Sequence, residues 1–364
     1  MPFEKASLLW NLTWDADWTT AVTFIGNTKR LAAGNNLGEI LLWDLPEKAS
    51  ASDPAPLPSL QFVGHTNCVT RLISTRDGKE LFSSSYDHSI RKWDPNVKPT
   101  ESPQKITLNA RAIADAEARK RNGAKVPPPL TAEIKTVKDS VVYPLHKEWI
   151  STMSISSDEA LLISGDDQGN IVLSDRKTGK EKLRWKVKGW VYSVAISPDK
   201  NRIFASERFT LVFDSGRHSG TKLYDGTGKI IKDLEPEYKG FHMSSSAFSN
   251  DGKYLAIGRG GEADGKIWIL NAQDGKKIHE LSPMHQYGVT DLAFHPNGKH
   301  LLSTGRDTVI RIWEVSSGKL VKELGKPRGG QFKDWLHALS ISADGRWVAA
   351  ADMIGGVQVW DLGE

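Results

Sequence analysis

Residues 289–314, VTDLAFHPNGKHLLSTGRDTVIRIWE, decide the fold. They open on Val289-Thr290-Asp291-Leu292-Ala293-Phe294, where the alternation of apolar and other residues has the period of a half-buried strand. Asn297-Gly298 follows, a pair that tolerates the positive φ a tight hairpin demands. A second strand rich in small residues leads to Asp307, and a third ends at Trp313-Glu314. Gly318-Lys319 then turns the chain into a fourth strand, Lys319 to Leu324. One such unit is a four-stranded antiparallel sheet.

Working outward from it, the same frame recurs in both directions. Seven hairpin turns can be read: Asn27-Thr28, Asp77-Gly78, Asp158-Glu159, Asp199-Lys200, Asp251-Gly252, Asn297-Gly298 and Asp344-Gly345. The third strands end at Trp43-Asp44, Trp93-Asp94, Ser174-Asp175, Tyr224-Asp225, Leu270-Asn271, Trp313-Glu314 and Trp360-Asp361. Their spacings of 50, 81, 50, 46, 43 and 47 residues place one long insertion in the second unit. The seventh unit lacks a fourth strand before the chain stops, and Lys5 to Leu12 has the pattern to supply it.

The repeat length and the Trp-Asp endings resemble the WD-repeat family over nearly the whole chain. That resemblance implies an all-β fold, a single seven-bladed β-propeller whose N-terminal strand completes the last blade. A sheet this small cannot bury both faces alone, whereas seven packed radially can. The expected blades are 15–60, 61–145, 146–187, 188–236, 237–282, 283–325 and 326–362 plus 3–13, all within one domain, 1–364, with a basic insertion at 96–140.

Composition fits this picture. Hydrophobic residues at 39% and charged residues at 25% are ordinary globular values that exclude disorder as the main state. No apolar run approaches the roughly 18 residues of a membrane span, and the N-terminal stretch lacks a signal core, so the expectation is a cytoplasmic monomer that contacts no membrane. The single cysteine, Cys68, offers neither an internal disulfide nor a thiolate cluster. The net charge of +4 is local: nine Lys or Arg face five acids between Asn96 and Ser140, which argues against a nucleic-acid partner.

The family's structural quartet joins a histidine, a serine or threonine, an aspartate and the third-strand tryptophan. It is matched by His65, Ser83, Asp87, Trp93 and by His285, Ser303, Asp307, Trp313, while blade three keeps His146, Ser164 and nearby Asp167. Ser, His and Asp together resemble a nucleophilic triad, but their order and spacing fit the structural network. Gly258-Arg259-Gly260 leads to a strand, Gly226-Thr227-Gly228-Lys229 lacks a following helix, and Asp166 to Asn170 is only a fragment of a calcium loop. No catalytic residue, cofactor or metal site is therefore expected.

The more informative position precedes the first strand of each blade. It reads Trp18, Cys68, Trp149, Trp190, His242, Gly288 and Trp335. By the resemblance it lies on the top face near the central opening, so the tryptophans either line a binding rim or pack over the preceding loop, as they also do in bacterial-looking repeats. Arg71, Tyr287, Asp291 and His337 are expected to add polarity there. The loop from Glu207 to Gly220 either enlarges this face or folds back on its blade. The insertion is expected to form a short helix over Thr107 to Arg121, stopped by Pro127-Pro128-Pro129, and to emerge on the side or the opposite face. Val141-Val142-Tyr143 should then resume blade two.

The functional expectation is a non-catalytic scaffold that binds a peptide or protein partner on the top face. The alternatives are a small-ligand or carbohydrate receptor on the same aromatic rim and an enzyme with a channel site.

Overall fold

Five of the seven hairpins between first and second strands share one local device. Thr75, Ser156, Ser197, Ser249 and Ser342 donate their hydroxyls to the aspartate two residues on, at 2.5–2.7 Å. The same carboxylate oxygen accepts the backbone N–H two residues further along. Each turn is thereby fixed from its own sequence, as Ser/Thr-x-Asp turns are. Two of these aspartates also tie neighbouring blades: Asp158 to Lys200 at 2.7 Å and Asp344 to Lys29 at 2.6 Å.

These contacts set an acid limit. The bonds from Lys200 and Ser156 hold the Asp158 carboxyl at about 2. Asp344, although partly desolvated, is held at about 2 by Lys29 and Ser342. Both lie below the unfolded value, so their contribution is complete above about pH 4 and is lost as the pH falls towards 2. The melting temperature should be flat from neutrality to about pH 4.5 and then fall. Lys29→Met and Lys200→Met together should shrink the part of that fall assigned to these carboxyls, and an unchanged acid limb would refute the assignment.

The computed structural model describes residues 3–99, 101–119, 125–210, 217–238, 242–261, 264–327 and 335–363. Its strands form seven sheets in a ring of antiparallel blades. Blade two, for example, runs from the inner strand Val69–Ser74 through Leu81–Ser85 and Ile90–Trp93 to the outer strand Val141–Tyr143. In the last blade, Leu336–Ile341, Trp347–Asp352 and Gly356–Asp361 are completed by the N-terminal strand Ser7–Thr13, paired from Ser7↔Asp361 to Thr13↔Gly356. The apolar core divides into seven clusters, each lying between two adjacent blades.

Two repeated features hold the blades at a fixed distance. A hydroxyl at the second position of an inner strand donates to the carbonyl of a residue at the start of the next inner strand. Thr20 reaches Val69 at 2.6 Å, Thr70 reaches Ile150 at 2.8 Å and Ser244 reaches Val289 at 2.6 Å, and Ser151 makes the same bond to Val191. Opposite these contacts stand Gly34, Gly165 and Gly258. A Cβ on any of them would lie 2.4–2.7 Å from a side-chain carbon of Val69, Val191 or Val289, closer than carbon atoms approach, so only glycine lets the next blade come this near.

The insertion departs from expectation in its place. Gln104–Thr107 pairs antiparallel with Thr131–Val137, which adds in parallel to Pro58–Phe62, widening blade one to six strands. Leu108, Ala132 and Ile134 are buried in the cluster between blades seven and one. The helix is Ala110–Ala118, shorter than expected, while Lys120 and Arg121 lie outside the described residues. Its start is docked at the top of blade one: the Arg111 N–H donates to Asp15 at 3.0 Å, and the guanidinium pairs with Asp17 beside Trp18. The insertion thus lies at the side of the ring, its apolar strand held by the free outer edge of blade one, and its helix start reaches Asp15 and Asp17 beside Trp18 rather than the opposite face. Val141–Tyr143 pairs with Ile90–Trp93.

The segment from Glu207 to Gly220 is not a loop at its base. Arg202–Thr210 and Arg217–Asp225 stay paired as far as Thr210↔Arg217, so the hairpin projects beyond its blade. Residues 211–216 at its tip, and so much of the apolar stretch Phe209 to Phe213, lie outside the described residues.

Candidate functional site

The top of each blade has two paired positions, because the residue that leads the inner strand is bonded to the one that follows the second strand. The carbonyls of Trp18, Cys68, Trp149, His242, Gly288 and Trp335 accept the N–H of Asn36, Tyr86, Asp167, Gly260, Arg306 and Met353 at 3.0–3.2 Å. In blade four Trp190 stands opposite Arg208 in the ladder. This second set of positions was not singled out in the sequence, although the repeat frame contains it.

On one side of the ring these residues form a continuous row of rings. Tyr86 to Trp149 is 5.3 Å between centroids, Trp149 to Trp190 6.5 Å, Trp190 to Tyr192 5.7 Å and Tyr192 to His242 4.6 Å. The row spans blades two to five. Trp149 is 42% exposed and Trp190 36%, large values for indoles that touch other aromatic rings. Tyr192 occupies the inner-strand position that elsewhere carries the blade-linking hydroxyl of Thr20, Thr70, Ser151 or Ser244.

Other expected rim residues are placed differently. Trp18 is 46% exposed but stands over blade one beside Asp17, apart from the row. Tyr287 is exposed at a positive φ of 63° in the turn before Gly288. Trp335, expected on the rim, is buried, and the Arg306 guanidinium lies 4.4 Å from its ring centroid. Asp291 is also buried, inside the channel: it accepts bonds from Arg71 at 2.9 Å, Ser245 at 3.0 Å and the Leu339 N–H at 3.0 Å. One carboxylate thus joins blades two, five, six and seven, and Asp291 with Arg71 locks the ring from within. Nearby, burial and the charges of Arg306 and Arg71 push the His337 imidazole down to about 4, against the opposing pull of Asp291. The channel space that Arg71 and Asp291 line measures about 250 Å3.

The quartet residues meet in the blade interiors. Trp93 donates its indole N–H to Ser83 at 2.8 Å, and Trp313 donates to Ser303 at 2.9 Å. With the indole as donor, each serine hydroxyl is left to donate to its histidine Nε2, His65 at 2.7 Å and His285 at 2.8 Å. Histidine Nδ1–H then faces Asp87 or Asp307, each at 2.7 Å. Burial keeps His285 below the ordinary histidine range although Asp307 opposes this. Distances like these suit a nucleophilic triad, but both serines are fully buried and accept an indole N–H.

In blade three His146 bonds Ser164 at 2.7 Å and Asp166 at 2.8 Å, so Asp166, not Asp167, completes that set. Asp167 instead donates its backbone N–H to the carbonyl of Trp149 at 3.1 Å. In blade one Ala33 stands where blade two has Ser83, and the buried Trp43 indole N–H finds no acceptor among the described residues. Among the described residues no group of three or more His, Cys, Asp or Glu forms a metal cage, and no helix is long and apolar enough to cross a membrane.

Seven antiparallel blades closed by the N-terminal strand around a channel define a β-propeller. The family model for the WD domain, G-beta repeat, matches residues 57–94, 138–175 and 275–314, so three WD40 repeats are found in the ring. The chain is similar to the small ribosomal subunit protein RACK1 of Caenorhabditis elegans, 24% identical over 86% of this chain and 98% of that protein. It is also similar to Actin-interacting protein 1 of Drosophila melanogaster, 26% identical over 50% of this chain but only 36% of that protein. Among solved structures, the WD40 β-propeller domain of Doa1 superposes with a TM-score of 0.70 at 13% identity, covering 98% of this chain and 97% of that one.

Proposed function

We propose that the protein is a non-catalytic scaffold that captures a protein or peptide segment on the top face. The observation that carries this reading is the exposed aromatic row over blades two to five, with Trp18, His242 and Tyr287 as further contacts. Rigid exposed aromatics give large contact area at small entropic cost, which is why they anchor interfaces. Two relatives point the same way by name, one as a ribosomal subunit protein and one as an actin-interacting protein.

Trp149→Ala and Trp190→Ala together are expected to cut capture of partner proteins from native lysate at least ten-fold. The melting temperature should stay within about 2 °C, because surface side chains outside the core change stability little. Undiminished capture would refute the reading. So would loss of the fold, since the two indoles would then be packing elements.

A further inference from the structure

The aromatic row is flanked by carboxylates, and this bears on what it can hold. Asp167 lies directly beside Trp149, its N–H bonded to the Trp149 carbonyl at 3.1 Å. One oxygen of its carboxylate is buried without a hydrogen-bond partner among the described residues. Burial raises the Asp167 carboxyl above its ordinary range, and the other charged groups that bear on it, Glu148 and Asp166, are carboxylates that raise it further. Tyr86, the first ring of the row, is pushed up to about 12 by burial, with Cys68, Tyr192 and Asp167 adding to the rise. The carboxylates of Glu148 and Asp167 therefore border the row at Trp149, while Arg208 stands opposite Trp190 at its blade-four end.

The row is also more than the fold requires. Its fourth ring, Tyr192, occupies a position where four other blades use a small hydroxyl to link neighbours. Its ring steps of 5.3, 6.5, 5.7 and 4.6 Å give it the reach of about six residues of extended chain. A cation lying over an exposed indole gains from the ring quadrupole, and a nearby carboxylate gives it a counter-charge.

We propose that the rim over blades two to five binds an extended peptide segment through arginine or lysine side chains, stacked on Trp149 and Trp190 and paired with Asp167 and Glu148. This rests on the docking role given to the same face above and adds the chemistry of the occupant. The protein as a whole carries a net charge of +4, so long-range attraction does not favour a cationic peptide. Preference for one must come from the local site.

The full chain is titrated, by fluorescence anisotropy, into three fluorescein-labelled probes: a ten-residue alternating proline–arginine peptide, its proline–glutamate counterpart and a ten-nucleotide oligothymidylate. The arginine peptide is expected to bind at least ten-fold more tightly than the other two. Glu148→Gln with Asp167→Asn should weaken it at least five-fold and leave the melting temperature in place. Trp149→Ala with Trp190→Ala should weaken it further, and if that pair lowers the melting temperature, the carboxylate variant alone decides. Equal or tighter binding of the glutamate peptide or the oligonucleotide overturns the proposal, as does arginine-peptide binding that is absent or indifferent to the carboxylates. If the cation preference fails while the tryptophan variant still loses its natural partners, the docking role stands without this chemistry. If capture from lysate survives the tryptophan variant, the docking role itself falls.

Discussion

Asp307→Ala is expected to remove about 3–5 kcal/mol of stability, the usual cost of stranding one member of a buried ion pair. The Asp307 side chain is fully buried and accepts bonds from Arg311 at 2.8 Å, His285 at 2.7 Å and the Gln286 N–H at 3.1 Å. Removing it leaves the Arg311 guanidinium inside blade six with Glu323, at 3.0 Å, as its remaining carboxylate partner. Asp87→Ala in blade two is the informative control. Asp87 serves His65, Ser89 and the Thr66 N–H, but no guanidinium, so its loss should cost about 1–3 kcal/mol. Guanidinium chloride midpoints of the two variants measure the difference. Hydrogen exchange should place the larger loss in blade six, because ring repeats couple mainly to their neighbours. Equal losses would mean that the buried arginine is not the source of the cost.

Trp10→Ala should have an effect of similar size, about 3–5 kcal/mol, for a different reason. Trp10 belongs to the strand that closes the ring, is buried, and meets Trp347 edge to face at 5.8 Å. Weakening that strand frees the edge of Gly356–Asp361, and an unpaired edge recruits other chains. The variant should therefore associate with rising concentration, seen by light scattering, as well as melt earlier. Asn11→Ala, on the exposed side of the same strand, should do neither. A Trp10→Ala protein that melts early but stays monodisperse would locate the loss in packing alone.

The ring, the number of sheets and the closing strand were legible because each hairpin is written locally. The turn pairs such as Asp77-Gly78, the strand alternation and the Trp-Asp ending all lie within one blade's length of sequence. The rim was legible only in part, since exposure there depends on what the neighbouring strand supplies. Trp335 occupies the same repeat position as Trp149, yet the residue facing it across blade six is Arg306, which covers its ring. Asp291 has the pattern of an outward polar residue on an alternating strand, but in a ring that side of the strand faces the channel, where three other blades reach it. The choice of Asp166 over Asp167 turns on one residue of register between strand and hairpin. For the insertion, the helix could be anticipated from alanine content, but nothing local encodes that its second strand adds to blade one.

The pairing of Ser7 with Asp361, and of Thr13 with Gly356, also fixes how the closed ring carries mechanical load. Because the two strands are antiparallel, the chain enters and leaves the last blade at the same end of that pair. Tension drawn between the two termini therefore falls on one rung at a time and peels the clasp open from Ser7 inward, so it never has to shear all its bonds together. A pull applied between two points on different blades meets the clasp along its length and finds the same ring far stiffer.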